Sequence, residues 1–420
     1  MITLAIAAGV IVLSLFASQP LAGLIGPSLG LDAAETSLVT TVTLLGYAGG
    51  LFLLVPLTDL IENRRLIGRT LTAGTLALFV AAVAPSAPLF LIASFLIGLT
   101  ASAIQMLVPI AASLAPEAER GRVVGNVMTG LMLGILLSRP SASVIAEYAG
   151  WRWFYGLLAG LVALLTIIIA RTIPERRPSQ KTSYRGLLAS LLVLLKEEPI
   201  LRRRAGYQGL CMAAFGIFWT TVALRLALPP FNLGQTGIAA FSLTGAAGAV
   251  IAPIAGRAGD RGLTRPATIL AHLSVIAAMV LAAMGGAGSA DGMPGPVALA
   301  VMAFAAVILD LGVIADQALG RRAINMLRPE ARGRLNGLFT GLFFIGAALG
   351  SSLSGLTWVL VGWSGACALG GLFGLAALAL SLLGTDARRR LDATPGSHRV
   401  ALRLGRPARL HPRRSQRRDP

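Results

Sequence analysis

Apolar runs long enough to cross a lipid bilayer follow one another along most of the chain. A helix of about 20 apolar residues spans the hydrocarbon core, and short polar or charged segments separate the runs. The pattern predicts an all-α integral membrane protein with twelve transmembrane helices. The runs cover residues 3–25, 37–57, 66–85, 88–115, 123–147, 151–171, 206–229, 237–256, 266–287, 297–320, 335–358 and 363–384.

The order of residues repeats at a spacing of 212, which is half of the 420-residue chain. A period this long does not describe a solenoid, whose repeats are about 20–50 residues. Two parallel halves in an apolar protein are typical of transporters that bind their substrate between the halves. The repeat pairs Arg120 with Arg332, Gly134 with Gly346, Gly150 with Gly362, and Trp151 with Trp363.

The repeat divides the chain into two predicted bundles. We predict an N-terminal six-helix bundle over residues 1–172, a cytoplasmic linker over 173–205 and a C-terminal six-helix bundle over 206–385. The linker carries leucines at helical spacing, but too few to span, so we expect a helix lying on the membrane surface. Residues 386–420 are rich in arginine and poor in apolar clusters, and we expect a basic, disordered tail.

Small residues four positions apart occur on spans 2, 5, 8 and 11. Such spacing lets two helices approach until their backbones touch. We therefore expect close helix packing at these positions. They are Gly46 and Gly50; Gly130 and Gly134; Gly248, Ala252 and Gly256; and Gly346 and Gly350.

The net charge of +18 is distributed as membrane topology requires, which argues against nucleic acid as a partner. If the amino terminus is cytoplasmic, 33 of the 36 lysines and arginines fall in the tail or in loops on the cytoplasmic side. Cytoplasmic loops are enriched in these residues. We expect a multi-pass protein of the bacterial inner membrane with both termini in the cytoplasm. The first apolar run lacks a charged leader and is expected to span rather than be cleaved.

The loop after span 8 contains a known family motif. Gly256, Asp260 and Arg261 match the G-x-x-x-D-R-x-G-R pattern of the major facilitator superfamily, with Gly262 one position before the pattern's second glycine. The chain resembles this family over all twelve spans. A looser copy with Asp59, Arg64 and Arg65 follows span 2. The resemblance implies two pseudo-symmetric six-helix bundles, spans 1, 4, 7 and 10 around a central cavity, and gating by these two loops.

Shorter pieces resemble a bacterial branch near the drug–proton antiporters. They include Gln19-Pro20-Leu21 and Phe218-Trp219-Thr220-Thr221. The chain departs from the motifs of these antiporters at two positions. The span 4 arginine of the R-x-x-Q-G motif is absent, with Ser94 at its place, and Ile135 follows Gly134 where a proline is expected.

Charged and polar groups inside the spans are the candidate functional residues, because they are costly in hydrocarbon and tend to face cavities or partners. Arg139, Asp310 and His272 are candidates for coupling transport to protons. Asp316 is expected at the cytoplasmic helix end with Arg321 and Arg322. Candidates for the substrate cavity are Gln19, Gln105, Trp219, Thr220 and Gln317.

These features predict a secondary active transporter that works by alternating access. It moves a small organic solute, with proton-coupled efflux preferred and a uniporter or importer as the alternative. A non-transporting sensor and a membrane enzyme fit less well. No phosphate-binding G-x-x-x-x-G-K-[ST] loop is present, so no cofactor is expected. Neither is a metal, since Cys211 and Cys367 lack ligand spacing. The expected partners are the solute, protons and the bilayer, and the protein is expected to be a monomer.

The distribution of cations gives a testable topology. Reporter fusions after Gly262 and after Gly384 should show cytoplasmic location, and a fusion after Gly292 should show periplasmic location. A cytoplasmic reporter at Gly292 would contradict the twelve-span arrangement.

Overall fold

The computed structural model describes residues 2–175, 183–287, 293–328 and 331–392. The amino-terminal half is built from bent and straight helices. Span 1 is broken into two helices that meet at 45°, whereas span 4, Ala87–Leu114, is interrupted only at Ser102. The helices are α1 (Ile2–Phe16), α2 (Ser18–Ser28), α3 (Leu38–Leu53), α4 (Asn63–Val83), α5 (Ala87–Ala101), α6 (Ala103–Leu114), α7 (Arg120–Ala149) and α8 (Trp151–Thr172).

The carboxyl-terminal half follows a helix that is too short to span. Span 8 is again divided, by a short 3₁₀ segment, Leu243–Ala246. The helices are α9 (Tyr184–Glu197), α10 (Pro199–Ala227), α11 (Gln235–Ser242), α12 (Ala247–Asp260), α13 (Thr264–Ala287), α14 (Gly295–Asn325) and α15 (Arg332–Asp392). The predicted tail lies outside the described residues from 393 onward.

The described residues contain the twelve predicted spans. Ten helical runs are long and apolar enough to cross a membrane, and the bent α1–α2 pair makes an eleventh. The last run, Arg332–Leu383, has 52 residues. At 1.5 Å per residue it would be about 78 Å long, more than twice the hydrocarbon core. Its backbone leaves the helical conformation at Gly362, so it forms two spans and the twelve-helix prediction is confirmed.

The chain reverses direction at the same place in each half. Gly150 and Gly362, which are repeat mates, have φ of 88° and 73°. Glycine takes such positive φ readily, because it has no Cβ. The tryptophan after each glycine is anchored: Trp151 Nε1 donates to Ser28 Oγ at 3.1 Å, and Trp363 Nε1 donates to the Ala282 carbonyl at 2.7 Å. The repeat therefore preserves backbone geometry as well as residue identity.

Each half is held together by a backbone contact between two spans. A Cβ at Gly134 of α7 would collide with the carbonyl oxygen of Gly9 in α1, and one at Gly346 of α15 with that of Gly209 in α10. The predicted close packing is thus confirmed for spans 5 and 11. It is wrong for Gly256 in span 8, where a Cβ would meet nothing within 4 Å.

The surface helix α9 joins the halves on one face of the molecule. Its Leu187, Leu191 and Leu194 are buried. Tyr184 Oη donates to the Leu53 carbonyl at 3.0 Å, and Arg334 Nη1 donates to Ser190 Oγ at 2.9 Å. We call this side of the molecule the α9 face.

A pair of acids at the end of α9 holds the loop before α15. Arg328 lies 2.9 Å from Glu197 and 2.6 Å from Glu198. Hydrogen bonds from the guanidinium to Glu197 and Glu198 raise the pKa of Arg328 above its usual value. Together with the contact of Tyr184 to Leu53, these ion pairs attach the linker helix to both halves.

The contact at Gly134 can be tested against a glycine on the same helix. Gly134→Ala should lower the apparent Tm in detergent. A methyl group there separates α7 from α1, and overpacking costs about 1–3 kcal/mol. Gly125→Ala, at an exposed position with open space, should leave Tm unchanged or raise it, since alanine is the better helix former by about 1 kcal/mol. Equal effects of the two changes would argue against the contact.

Candidate functional site

A buried array of polar groups joins the halves inside the membrane. Arg139 of α7 and Asp310 of α14 are each only 4% exposed. Arg139 Nε donates to Gln19 Oε1 at 2.7 Å, and Trp219 Nε1 donates to Asp310 Oδ1 at 3.1 Å. The Arg139 guanidinium lies 4.1 Å from the centre of the Trp219 ring. Trp219 of α10 thus contacts the cation of one half and the acid of the other; we call these four residues the interface array.

Room for the interface array comes from a glycine on the 3₁₀ segment of span 8. A Cβ at Gly245 would lie 3.1 Å from Asp310 Oδ2 and 3.6 Å from Arg139 Nη1. The acid and the cation therefore both border the space beside Gly245, and a larger side chain would compete with them for it.

Aromatic rings enclose the guanidinium. Besides Trp219, Phe16 and Phe215 have their ring centres 5.3 and 5.5 Å from Arg139 Cζ. A cation is attracted to the negative face of an aromatic ring, and more strongly when water is excluded. The rings and the Gln19 carbonyl therefore stabilise a charge that would be costly in hydrocarbon.

A cavity of about 650 Å³ lies between the halves on the α9 face. Residues of both halves line it, and Leu191 of α9 lies at its rim. The volume is in the range of sites for small organic molecules, about 300–1,000 Å³. Its polar lining consists of Thr58, Asp59, Asn63, Gln105, Arg321, Asn325, Arg334 and Asn336.

The opposite face is closed by direct contacts between the halves. Glu147 at the end of α7 accepts a hydrogen bond from the Gln235 backbone at 2.7 Å, and Ser37 Oγ donates to the Ser352 carbonyl at 3.4 Å. Arg139 lies two thirds of the way along α7 toward this face. The interface array therefore belongs to the closed side, and opening that side must separate its members.

The predicted cavity residues divide into two groups. Gln105 lines the cavity, where its Nε2 donates to Tyr47 Oη at 3.3 Å. Gln19 and Trp219 belong to the interface array instead. Thr220 is buried and shares a hydrogen bond with Ser351 at 3.1 Å. Gln317 is half-buried and is not part of the cavity wall.

The two predicted gating loops lie on the α9 face. Asp59 lines the cavity mouth. The backbone amides of Arg64 and Arg65 donate to the Glu62 carboxylate at the start of α4. Asp260 accepts from Arg322 Nε at 2.8 Å, a contact between α12 and α14 of the same half. Gly256 is half-buried and Arg261 is exposed.

The structure does not bring His272 to the other coupling candidates. It is fully buried, and its Nε2 lies 3.6 Å from Asp316 Oδ1. The expectation that Asp316 belongs with Arg321 and Arg322 at the helix end is wrong. Asp316 is 0% exposed and faces α10 and α13. The position of Asp316 along α14 could not show its surroundings in advance, since these depend on which helices pack against α14.

Several residues of the site were not among the sequence candidates. They include Phe16 and Phe215 around the guanidinium, Tyr47 beside Gln105, and six polar residues of the cavity wall: Thr58, Asn63, Arg321, Asn325, Arg334 and Asn336. Aromatic residues in apolar spans carry no pattern that distinguishes a ring on a cation from a ring in the core. Arg321 could have been found, because it is a charged residue directly after span 10, which was expected to line the cavity.

Twelve membrane-spanning helices in two repeated halves, with a cavity between them that is open at one end, define a membrane transporter. The chain belongs to the Major Facilitator Superfamily, whose family model matches residues 4–322. It is 34% identical over 374 residues to the "Uncharacterized transporter YgaY" of Escherichia coli O157:H7, covering 89% of this chain and 92% of the relative. It is 30% identical over 375 residues to the "Probable transporter SCO4007" of Streptomyces coelicolor, covering 88% and 83%.

Solved structures support the fold. The chain superposes on the nucleoside transporter NupG with a TM-score of 0.68 at 15% identity, over 91% of this chain and 98% of that one. It superposes on the peptide transporter POT with a TM-score of 0.71 at 16% identity, over 92% and 94%. At such identity the likeness concerns the architecture alone.

The interface array predicts that its two charges depend on each other. Arg139→Gln should lower the apparent stability in detergent by up to about 3–5 kcal/mol, the loss expected when a buried charge loses its partner. Asp310→Asn in the same chain should recover part of this loss, because no uncompensated carboxylate remains. Arg122→Gln, which removes an exposed ion pair with Glu119, should cost less than about 1 kcal/mol. Strictly additive losses at Arg139 and Asp310 would show that the two side chains do not interact.

Proposed function

We propose that this protein is a secondary active transporter that moves a small organic solute out of the bacterial cytoplasm by alternating access, in exchange for protons. The interface array carries the proposal. It places one cation and one acid, contributed by opposite halves, where the halves must separate for the cavity to open on its closed side.

The cavity supports a solute that binds between the halves. Its wall combines apolar side chains with a few polar groups, among them Gln105 and Arg321. Such a wall favours small molecules with an apolar body and one or two hydrogen-bonding groups. If the α9 face is cytoplasmic, as the loop charges predict, the structure is inward-facing and ready to accept a solute from the cytoplasm.

Two buried donors in the interface array support a role beyond packing. Arg139 Nη2 and Gln19 Nε2 have no hydrogen-bond partner among the described residues. A buried polar group without a partner is costly. These donors are available to a solute group or to water when the cavity reaches them.

Asp310 is the acid proposed to couple proton movement to transport. In the present state it accepts the Trp219 indole hydrogen and lies near Arg139, which favours the carboxylate. When the halves part, Arg139 moves away with its own half, and Asp310 can take up a proton from the opened side. Return of Arg139 then favours release of that proton. Because Asp310 would contact Arg139 in one state and not in the other, its proton uptake and release would be coupled to the movement of the halves.

The loops around Asp59 and Asp260 are proposed to control the cavity mouth. Asp260 and Arg322 already form an ion pair within one half. Closing the α9 face would bring the ends of both halves together, where the charges of the two loops can pair. Their place at the rim fits gating rather than solute binding.

The Asp310 proposal can be tested in proteoliposomes. A panel of small organic solutes is first screened for flux with and without a pH gradient. With a transported solute in hand, Asp310→Asn should abolish accumulation driven by the gradient but retain exchange between equal solute pools. The amide can still accept from Trp219, but it carries no proton through the cycle.

The matched control is Glu119→Gln, an acid-to-amide change at an exposed surface pair, which should leave both activities as they are. Gradient-driven accumulation that survives Asp310→Asn would remove this acid from the coupling step. Loss of all exchange in a well-folded variant would indicate that Asp310 holds the halves in register instead.

A further inference from the structure

A second buried cluster lies in the carboxyl-terminal half, away from the interface array. It contains Cys211 of α10, His272 of α13 and Asp316 of α14, all 0% exposed. One ligand atom of each lies within 4.8 Å of those of the other two. Three helices thus contribute a thiol, an imidazole and a carboxyl group to one point.

The polar atoms of this cluster have no adequate partners. Both ring nitrogens of His272 and both carboxylate oxygens of Asp316 lack a hydrogen bond to any described residue. Native structures satisfy most buried polar atoms, so a buried acid and a buried imidazole that face each other unsatisfied need an explanation.

The nearby arginine does not supply it. Arg204 Nη1 lies 3.6 Å from Asp316 Oδ1, which is too long for a hydrogen bond. The same nitrogen donates instead to Thr268 Oγ1 at 2.9 Å. Tyr207 also borders the cluster, with its ring centre 5.8 Å from that of His272. Arg204 and His272 thus lie near Asp316 Oδ1 without donating a hydrogen bond to it, and both carboxylate oxygens are left without a hydrogen-bond donor in the described part of the chain.

We propose that Cys211, His272 and Asp316 form a binding site for a divalent transition-metal ion that favours sulfur and nitrogen ligands, such as Zn²⁺ or Co²⁺. Thiolate, imidazole and carboxylate together are ligands that Zn²⁺ takes in proteins, whereas Mg²⁺ and Ca²⁺ prefer oxygen alone. The inference does not depend on the solute or on proton coupling.

The charges of the three ligands suit a divalent ion, and the distances between their ligand atoms suit it after a small movement. Binding converts the Cys211 thiol to a thiolate and releases its proton to solvent, so thiolate and carboxylate together balance a divalent ion. Ligand atoms around one tetrahedral Zn²⁺ are about 3.3–3.6 Å apart. His272 Nε2 and Asp316 Oδ1 are already 3.6 Å apart, and all three ligand atoms lie within 4.8 Å of one another. The approach needed is therefore at most about 1 Å, within the helix shifts of about 1–2 Å that proteins undergo.

The site would connect three spans of one half. Arg204, which is 14% exposed, lies 3.6 Å from Asp316 beside the cluster. A bound ion would draw α10 toward α13 and α14. Since α10 also carries Trp219, the metal would hold the half that faces Arg139 in one packing arrangement.

The sequence could not indicate this cluster. Cys211 and His272 are 61 residues apart and Asp316 follows 44 residues later, which matches no spacing of metal ligands along a chain. Only the packing of α10 against α13 and α14 brings the three together. The spacing of the cysteines led to the expectation that no metal binds, and the proposed site differs from that expectation.

The test uses the purified full-length chain, which contains two cysteines. In Cys367→Ala only Cys211 remains, so any thiolate ligand is identified directly. Titration with Co²⁺ should give one saturable equivalent, with near-ultraviolet absorption from sulfur-to-cobalt charge transfer and intense visible bands of a tetrahedral ion. Zn²⁺ should remove these bands. The unaltered chain should behave in the same way.

Substitution of the ligands should then separate a site from adventitious binding. Cys211→Ala should abolish the charge-transfer band. His272→Gln and Asp316→Asn should weaken binding more than about tenfold, since even outer partners of metal ligands are worth about 10–100-fold. Glu119→Gln is the control that should bind as before.

Failure of a ligand variant to fold would not decide the question, so one measurement needs no further variant. X-ray absorption of Zn²⁺-loaded Cys367→Ala should show one sulfur at about 2.3 Å and nitrogen or oxygen neighbours at about 2.0–2.2 Å. A metal shell without sulfur, absence of the charge-transfer band at saturating Co²⁺, or binding that survives Cys211→Ala would overturn the proposal.

Discussion

An arginine inside a bilayer needs partners, and this requirement organises the centre of the molecule. Arg139 has no repeat mate of the same kind, since Ser351 stands at the equivalent position. Its charge is accommodated by Gln19, by aromatic rings and by the nearby Asp310. These partners come from both halves, so separating the halves at this point would leave a buried charge without partners, which is energetically unfavourable. The cavity is open on the other side, away from these contacts.

Much of the fold could be predicted from the sequence, because the bilayer imposes simple rules on it. Span lengths follow from membrane thickness, and the 212-residue repeat located the equivalent elements of the two halves. Gly134 and Gly346 were expected at helix contacts for the same reason, and both lie there. The exact position of a break inside a span could not be read from the sequence. Span 1 contains Ser18, Gln19 and Pro20, and its helices α1 and α2 separate at Ala17.

The site was harder to predict, because its contacts join residues that are distant in the chain. Trp219 and Asp310 are 91 residues apart, and Arg139 and Gln19 are 120 apart. A charged residue inside a span can be identified as a candidate because its burial is costly. The sequence does not show which residue will be its partner. Asp316 shows the limit, since proximity to Arg321 along the helix suggested one environment and the packing of α13 against α14 created another.

The rings around Arg139 also affect the rate at which the closed side could open. Phe215 and Trp219 belong to the opposite half, so the guanidinium must leave both before that side can open. If each contact is worth about 2 kcal/mol in a water-free site, losing both raises the barrier by about 4 kcal/mol. A tenfold change in rate corresponds to 1.36 kcal/mol, so in the proposed cycle these contacts would slow the switch by nearly three powers of ten. A switch this slow would lengthen the dwell time of the cavity-open state and limit spontaneous leakage between the two compartments.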